Sequence, residues 1–259
     1  MSDELRVERR GRVFVVTIDR QERMNALGQQ MYDELFETWT SLKTDSTIRS
    51  IVITGAGSRA FCTGMDLQAF AERGGPRPVK ADVHEELRVT PLHCDVWLPT
   101  IVAVNGVCTG SGLHFVADAD IVVASTTASF LDTHVSVGQV AAVEPITLLP
   151  RMGLGNALRF AVLGKHGRIN AEDALRISLV DEVVEPERLL DRAVELGELV
   201  ATGSPAAVEA SKRAIRDSLD RPMHEALQHG WEMLLAHREH PDSHEGPMAF
   251  AEKREPKWQ

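Results

Sequence analysis

The stretch PTIVAVNGVCTGSGLHFVADADIVVAS, residues 99–125, contains the pattern that decides the fold. A short apolar run, IVAV (101–104), leads into a glycine-rich loop, an apolar segment of helical length and a second β-branched run, DIVVAS (120–125). Strands that alternate with helices at this spacing indicate βαβ units, and continuous apolar runs indicate strands buried on both faces. The stretch therefore predicts a largely parallel, buried sheet.

The same alternation extends towards the N-terminus, where RVFVVTI (12–18) and SIVITG (50–55) predict strands on either side of a helix from Gln29 to Leu42. From Glu144 onward, nearly every segment has the periodicity of an amphipathic helix. The sequence therefore predicts an α/β core followed by a helical C-terminal part. Between Ala71 and Pro99 it turns polar and irregular, which predicts a flexible, solvent-facing insertion.

The composition excludes several classes of protein. The 259 residues are 43% hydrophobic and 25% charged, as in an ordinary soluble globular protein, and no run of 18 uncharged apolar residues predicts a membrane span. A net charge of -10 argues against a nucleic-acid partner. The N-terminal stretch lacks the features of a signal or transit peptide, so we expect a cytoplasmic protein. Three irregularly spaced cysteines predict free thiols.

Two glycine-rich loops leave predicted strands and enter predicted helices: TGAGSRAFCTGMDL (54–67) and NGVCTGSGLHF (105–115). Glycine lets the backbone approach a ligand closely, and a helix N-terminus directs free N–H groups towards it. Side by side on a parallel sheet, the two loops could each aim one N–H at a single carbonyl oxygen, as in an oxyanion hole. For either loop taken separately, a tight turn is the preferred explanation.

Together, these loops resemble those of the enoyl-CoA hydratase/isomerase family, also called the crotonase family. The resemblance covers nearly the whole chain, through DRQERMNAL (19–27), IVITGAGSRAFCTGMDL (51–67), PTIVAVNGVCTGSG (99–112), DADIVVAS (118–125), LLPRMG (148–153) and EGPMAFAEKREP (245–256). It implies an α/β fold with a crotonase-type ββα spiral core over residues 1–197. It also implies a helical C-terminal trimerisation region over 198–259, and a homotrimer or a homohexamer built as a dimer of trimers.

The resemblance also implies the substrate, an acyl-CoA thioester, and the groups that hold it. The backbone N–H groups of Met65 and Ser111 form the implied oxyanion hole. The coenzyme A pocket is implied along residues 60–65, closed by a lysine of a neighbouring subunit; the residues concerned are Ala60, Cys62, Gly64, Met65 and Lys253. Gln68 stands where many members carry lysine. No tightly bound cofactor is expected, because coenzyme A is part of the substrate.

The chain departs from its family where hydratases carry two catalytic glutamates, because it has His114 and His134 at those places. Imidazole titrates near neutrality, so each histidine is a candidate general acid or base. His114 is equally explained as a core histidine on a buried helix. His134 could be a structural residue of a strand leading into the site, but its family position favours a functional role. Asp132 could orient His134, although an exposed aspartate in a turn is the simpler interpretation.

Glu144 is a further candidate, either as the single base of an isomerase-like reaction or as the N-terminal charge of a helix opened by Pro145. No third ligand with zinc-like spacing accompanies the two histidines, so no metal site is expected. His84 and His93 lie in the predicted insertion and are expected to be solvated. The cysteines of the two glycine loops, Cys62 and Cys108, lack a base partner and are expected to pack in the core.

The sequence leaves three functions open. The first is an acyl-CoA-processing lyase or isomerase that stabilises a thioester enolate or oxyanion and moves protons with histidines. The second keeps the fold but hydrolyses carbon–carbon bonds of β-diketones without coenzyme A, and the missing lysine at Gln68 favours it. The third is a catalytically silent binding or scaffold paralogue.

Overall fold

The computed structural model describes residues 3–66, 72 and 79–259. Its strands form two sheets. In chain order they are β1 (Leu5–Arg10), β2 (Val13–Ile18), β3 (Ser50–Gly55), β4 (Ala60–Cys62), β5 (Thr100–Val104), β6 (Val107–Cys108), β7 (Ile121–Ser125), β8 (Ser129–Phe130), β9 (Ile169–Asn170) and β10 (Glu182–Val184).

The larger sheet has the order β1-β2-β3-β5-β7-β10 and is parallel except for the β1–β2 hairpin. The smaller sheet has the order β4-β6-β8-β9, with β4, β6 and β8 parallel. Each of β3, β5 and β7 passes into a strand of the smaller sheet before the chain returns, which is the predicted ββα spiral. Of these strands, β2, β3, β5 and β7 were predicted individually from the sequence, and the others were not.

The helices in chain order are α1 (Gln29–Ser41), α2 (Val83–Glu86), α3 (Ser111–Asp118), α4 (Val143–Leu163), α5 (Ala171–Arg176), α6 (Leu189–Val200), α7 (Pro205–Asp217), α8 (Met223–His237) and α9 (Asp242–Glu252). The chain bends inside α4 at Gly153, which has a φ of 74°. The side chain of Ser204 caps α7 by accepting a bond from the Ala207 N–H at 3.1 Å, which confirms the predicted helix start.

The larger sheet is buried on both faces. One face packs against α1 and α3 in the main core, and the other packs against α6 through residues such as Val52, Ile101 and Ala193, each with no exposed surface. Burial on both sides explains why the central strands read as continuous apolar runs rather than as alternating ones.

The C-terminal helices are anchored to the core. The boundary predicted at residue 197 falls inside α6, where the Gly197 carbonyl accepts a bond from Ser50 Oγ at 3.1 Å. From α7, Lys212 donates to the Leu98 carbonyl at 3.0 Å and Arg216 donates to the Asp118 carbonyl at 2.6 Å. The assignment of residues 198–259 to trimerisation stays a prediction.

The predicted insertion between residues 71 and 99 is solvent-facing only in part. Its GGPRP motif lies outside the described residues, and residues 79–85 are exposed. The prediction is wrong for residues 89–96, where Val89, Cys94 and Val96 are buried in the core. Trp39 Nε1 donates to the Val89 carbonyl at 2.8 Å and fixes this part of the chain.

Candidate active site

The two glycine loops touch each other, backbone against backbone. Gly64 and Gly110 have positive φ values of 84° and 53°. A Cβ atom at Gly64 would lie 3.0 Å from the Ser111 nitrogen, and one at Gly110 would lie 3.2 Å from the Gly64 Cα. The close approach therefore requires glycine at both places.

The amides of Met65 and Ser111 border this contact and have no hydrogen-bond partner among the described residues. Leu27 pairs with Met65 as an isolated parallel bridge, through bonds that use the Gly64 carbonyl and the Asp66 N–H. The Met65 N–H therefore points away from Leu27. Among the described residues, neither the Met65 nor the Ser111 N–H donates a hydrogen bond, so both remain available to a ligand.

Two buried asparagines that sequence reasoning missed hold the first loop. Asn25 Nδ2 donates to the carbonyl of Ala60 at 2.7 Å, and Asn105 Nδ2 donates to the same carbonyl at 2.9 Å. Asn105 Oδ1 also accepts from the Gly55 N–H at 3.1 Å. A buried amide side chain that satisfies several backbone groups makes the loop rigid. The DRQERMNAL motif contains Asn25, but its role depends on contacts far along the chain.

The second loop opens directly into α3, whose first residue is Ser111. The Ser111 hydroxyl lies 3.0 Å from the Tyr32 hydroxyl of α1. The side chain thus has a partner on the neighbouring helix, while the N–H at this helix start carries part of the positive end of the helix dipole.

His114 lies one turn further along α3 and is only 3% exposed. Its Nε2 is 3.5 Å from Glu144 Oε1, at the start of α4. Its Nδ1 is buried without a hydrogen-bond partner in the described part of the chain. His114 is therefore a core residue, as one of the two interpretations predicted, and it also contacts a candidate acid–base group. Its role as a general acid or base stays a prediction.

His134 begins a 3₁₀ turn, His134–Val137, so the predicted strand at this place is wrong. The prediction of an exposed Asp132 is also wrong, because this residue has no exposed surface. Asp132 Oδ1 accepts bonds from both the backbone N–H of His134 at 2.8 Å and the ring Nδ1 at 2.9 Å. The turn brings the ring back onto the carboxylate, which orients the imidazole as the sequence interpretation allowed.

This contact controls the charge of His134. The hydrogen bond to Asp132 raises the pKa of His134 above its ordinary value, and the charge of Glu144 adds to the effect although burial opposes it. Asp132 Oδ2 is buried without a hydrogen-bond partner among the described residues. The positive charge of a protonated His134 therefore balances the negative charge of the buried Asp132 carboxylate.

Glu144 lies in the first turn of α4, as the helix-start interpretation predicted, and is 8% exposed. One oxygen, Oε1, faces both imidazoles, at 3.5 Å from His114 Nε2 and 3.8 Å from His134 Nε2. Burial raises the pKa of Glu144, but the contact with His114 and the charges of the two rings outweigh it and lower that pKa overall. Glu144 is therefore an anion at neutral pH.

The absence of a metal site stays a prediction. Asp132, His134 and Glu144 place one possible ligand atom each within 4.8 Å of one another, which sequence spacing did not show. The hydrogen bond between Asp132 Oδ1 and His134 Nδ1 already uses one atom of each of these two residues. The ion pair between Asp132 and His134 therefore accounts for the cluster without a metal.

His93 is not solvated, contrary to the sequence prediction, whereas His84 is exposed as predicted. The His93 ring packs edge-on against the His114 ring, with the ring centres 5.5 Å apart. Its Nε2 lies 3.2 Å from Asp118 Oδ2. The apolar neighbours Val89 and Cys94 were the sequence signal that could have indicated burial of this histidine.

The remaining predicted site residues lie in the core, on the surface or outside the described residues. Cys62 and Cys108 are fully buried, and burial raises the pKa of the Cys62 thiol to about 12, in keeping with a packing role. Ala60 is buried too, so Ala60 and Cys62 offer no side-chain surface to a ligand. Lys253 is exposed after the last turn of α9. Gln68 lies outside the described residues.

Comparison with known proteins agrees with this architecture. Residues 8–259 match the family model described as enoyl-CoA hydratase/isomerase. The chain is 36% identical over 248 residues to (E)-benzylidenesuccinyl-CoA hydratase of Thauera aromatica, with 94% of each chain covered. It is 33% identical over 264 residues to carnitinyl-CoA dehydratase of Escherichia coli strain K12, with 100% of this chain and 99% of that one covered.

Solved structures are similar over the full length. An enoyl-CoA hydratase/isomerase from Mycobacterium paratuberculosis superimposes with a TM-score of 0.91 at 36% identity, covering 99% of this chain and 98% of that one. An enoyl-CoA hydratase from Mycobacterium tuberculosis H37Rv has a TM-score of 0.89 at 30% identity, covering 100% of this chain and 99% of that one. No helix in the described part of the chain is both long and apolar enough to cross a membrane.

Proposed function

The chain belongs to the enoyl-CoA hydratase/isomerase family, and from that premise we propose that it adds water reversibly to the double bond of an α,β-unsaturated acyl-CoA thioester. Membership implies a CoA thioester substrate and lyase-type chemistry. Two of its relatives are named as a hydratase and a dehydratase of CoA thioesters, which supports water addition and removal over isomerisation.

The observation that carries the proposal is the buried Glu144 oxygen between two imidazoles, one of which, His114, lies one helical turn after Ser111. The pKa values of Glu144 and His134 shift in opposite directions, since the pKa of Glu144 is lowered and the pKa of His134 is raised. Such a pair of groups with opposed shifts supports separate roles as base and acid.

In the proposed reaction, Glu144 accepts one proton of a water molecule whose oxygen bonds to the β-carbon. The electron pair of the double bond moves to the thioester oxygen, which the N–H groups of Met65 and Ser111 stabilise as an enolate. His134 then gives its proton to the α-carbon. The elimination of water follows the same path in reverse.

The exposure of the side chains supports the assignment of Glu144 as the base and His134 as the acid. The side chains of His134 and Glu144 are 29% and 11% exposed, whereas the side chain of His114 is 4% exposed. His134 and Glu144 are therefore the proposed catalytic residues, and His114 holds the Glu144 carboxylate from its buried side. For the coenzyme, the backbone ahead of Met65 and the exposed Lys253 remain the proposed contacts.

We expect Glu144→Gln and His134→Ala each to lower kcat about 100-fold or more, because each removes one proton-transfer group. The measurement is loss of the conjugated-thioester absorbance with a panel of short, branched and aryl enoyl-CoA esters. His84→Ala is the matched control, since His84 is exposed and far from substrate in this proposal. Calorimetry should find CoA affinity within about 3-fold of wild type in all three variants.

Full turnover by Glu144→Gln would contradict the assignment of the base. If wild type neither turns over any enoyl-CoA ester nor binds CoA at millimolar concentration, the function itself is wrong, and a CoA-independent hydrolase or a silent scaffold takes its place.

A further inference from the structure

His93 and Asp118 form a second carboxylate–imidazole pair behind the proposed site. Asp118 is the last residue of α3, four positions after His114, so both side chains lie on one face of the helix. The His93 ring spans this face, with its Nε2 at 3.2 Å from Asp118 Oδ2 and its ring edge-on to His114.

The His93 ring is fixed from its own segment. Thr90 donates through Oγ1 to the same Asp118 oxygen at 2.5 Å and accepts from the His93 backbone N–H at 3.2 Å. Thr90 has no exposed surface, and the flanking Val89 and Cys94 belong to the main core. A solvated loop residue would have none of these constraints.

The ring nitrogens point to a shared function. With Nε2–H of His93 donated to Asp118 and Nε2–H of His114 directed at Glu144, a ring that carries a single proton leaves Nδ1 as an acceptor. Both Nδ1 atoms are buried, and neither has a hydrogen-bond partner among the residues that the structure describes. Two buried acceptors on neighbouring rings are costly unless one donor serves both.

We propose that His93, held by Asp118, is a positioning residue that shares a proton donor with His114 and thereby keeps the His114 imidazole directed at Glu144. The site then extends from Asp118 through His93 and His114 to Glu144, and from there through His134 to Asp132. This inference rests on the proposed function only for its effect on turnover. Its structural part, the orientation and tautomer of His114, is independent of any substrate.

The test compares His93→Leu, which removes both ring nitrogens, with His93→Gln, whose amide can still donate to Asp118 and accept from the shared donor. The control is His84→Leu, an exposed histidine of the same segment. Nitrogen-15 NMR of ring-labelled histidine in the complete protein reports the tautomer of His114, and enoyl-CoA turnover reports kcat and KM.

We expect one dominant His114 tautomer, with the proton on Nε2, in wild type and His93→Gln, and a mixture of tautomers in His93→Leu. His93→Leu should lower kcat about 10-fold with KM within about 2-fold, and His93→Gln should recover to within about 3-fold of wild type. An unchanged tautomer in His93→Leu overturns the inference, as does His93→Gln behaving like His93→Leu. Altered tautomers in a protein that turns over no CoA ester uphold the inference and reject the proposed function.

Discussion

At the scale of single residues, the ionisation of the histidines and carboxylates of the site depends on which side chains the fold brings together. Asp132 and His134 are near neighbours in sequence, and the sequence already suggested that one could orient the other. Glu144 receives its two imidazoles from α3 and from the 3₁₀ turn, and His93 reaches α3 from a segment that looked solvent-facing. The candidate residues could be named from the sequence, whereas their pairing depends on tertiary contacts.

Asp132→Asn gives a prediction at this scale that concerns stability and pH. Because the bond to Asp132 raises the pKa of His134 in the folded protein, its stabilisation is fully present below the unfolded pKa of about 6.5. It is lost as pH rises through the higher folded pKa. Glu144 also faces the His134 ring and keeps its charge over this range.

We therefore expect Asp132→Asn to unfold at a lower Tm than wild type at pH 5.5, with a difference that narrows towards pH 9. Thermal unfolding at a series of pH values measures this. A Tm difference that is constant or grows with pH would exclude the hydrogen bond between Asp132 and His134 as the cause. Asp45→Asn, which alters an exposed turn aspartate bonded to Thr47, controls for generic loss of a carboxylate.

At the scale of elements, the site depends on how closely α3 approaches the β4 strand. Gly112, in the first turn of α3, faces this strand so closely that a Cβ atom there would lie 2.5 Å from the Cys62 carbonyl oxygen. The obstacle is backbone, which cannot rotate away as a side chain can. The sequence identified the glycine-rich loops, but it could not tell a glycine needed for positive φ from one needed for close packing.

Gly112→Ala and Gly155→Ala form a matched pair of predictions, because both glycines lie in helices and neither has a positive φ. We expect Gly112→Ala to destabilise the fold by about 1–3 kcal/mol through overpacking. A Cβ at Gly155 meets nothing within 4 Å, so Gly155→Ala should be neutral or stabilise by about 0.5–1 kcal/mol.

Chemical denaturation measures the free energy of unfolding of both variants. In Gly112→Ala, the strand and the helix must move apart, so turnover should fall along with stability. Equal effects of the two substitutions would mean that the approach of α3 to β4 is not the constraint we describe.

At the scale of the whole molecule, several large apolar side chains of α8 are exposed on the separate chain. On α8, Leu227 is 67% exposed and Trp231 is 54% exposed, one helical turn apart. Large contiguous apolar patches on a folded chain mark interaction surfaces. The family resemblance implies a trimer or hexamer, and this face lies in the region 198–259 that the sequence assigned to assembly.

We predict that light scattering will find a mass about three or six times that of the 28.5 kDa chain, and that Trp231→Glu will shift it towards the monomer. A buried charge at the interface costs more than the lost apolar contact. Ala236→Glu adds the same charge to the same helix outside the row of Leu227 and Trp231, and should leave the mass unchanged. A monomeric wild type, or a Trp231→Glu variant that keeps its mass, would contradict the prediction.

The sequence by itself determined the fold class, the central strands and most helices, because apolar periodicity, glycines and helix caps act over a few neighbouring residues. It also determined which residue types stand at the two loops and at positions 114, 134 and 144. Only the tertiary structure decided that Asp132 is buried and His93 partly buried, that Glu144 faces two imidazoles, and that Val89, Cys94 and Val96 enter the core. Burial and ionisation depend on surroundings contributed by distant parts of the chain, and no local pattern encodes those distances.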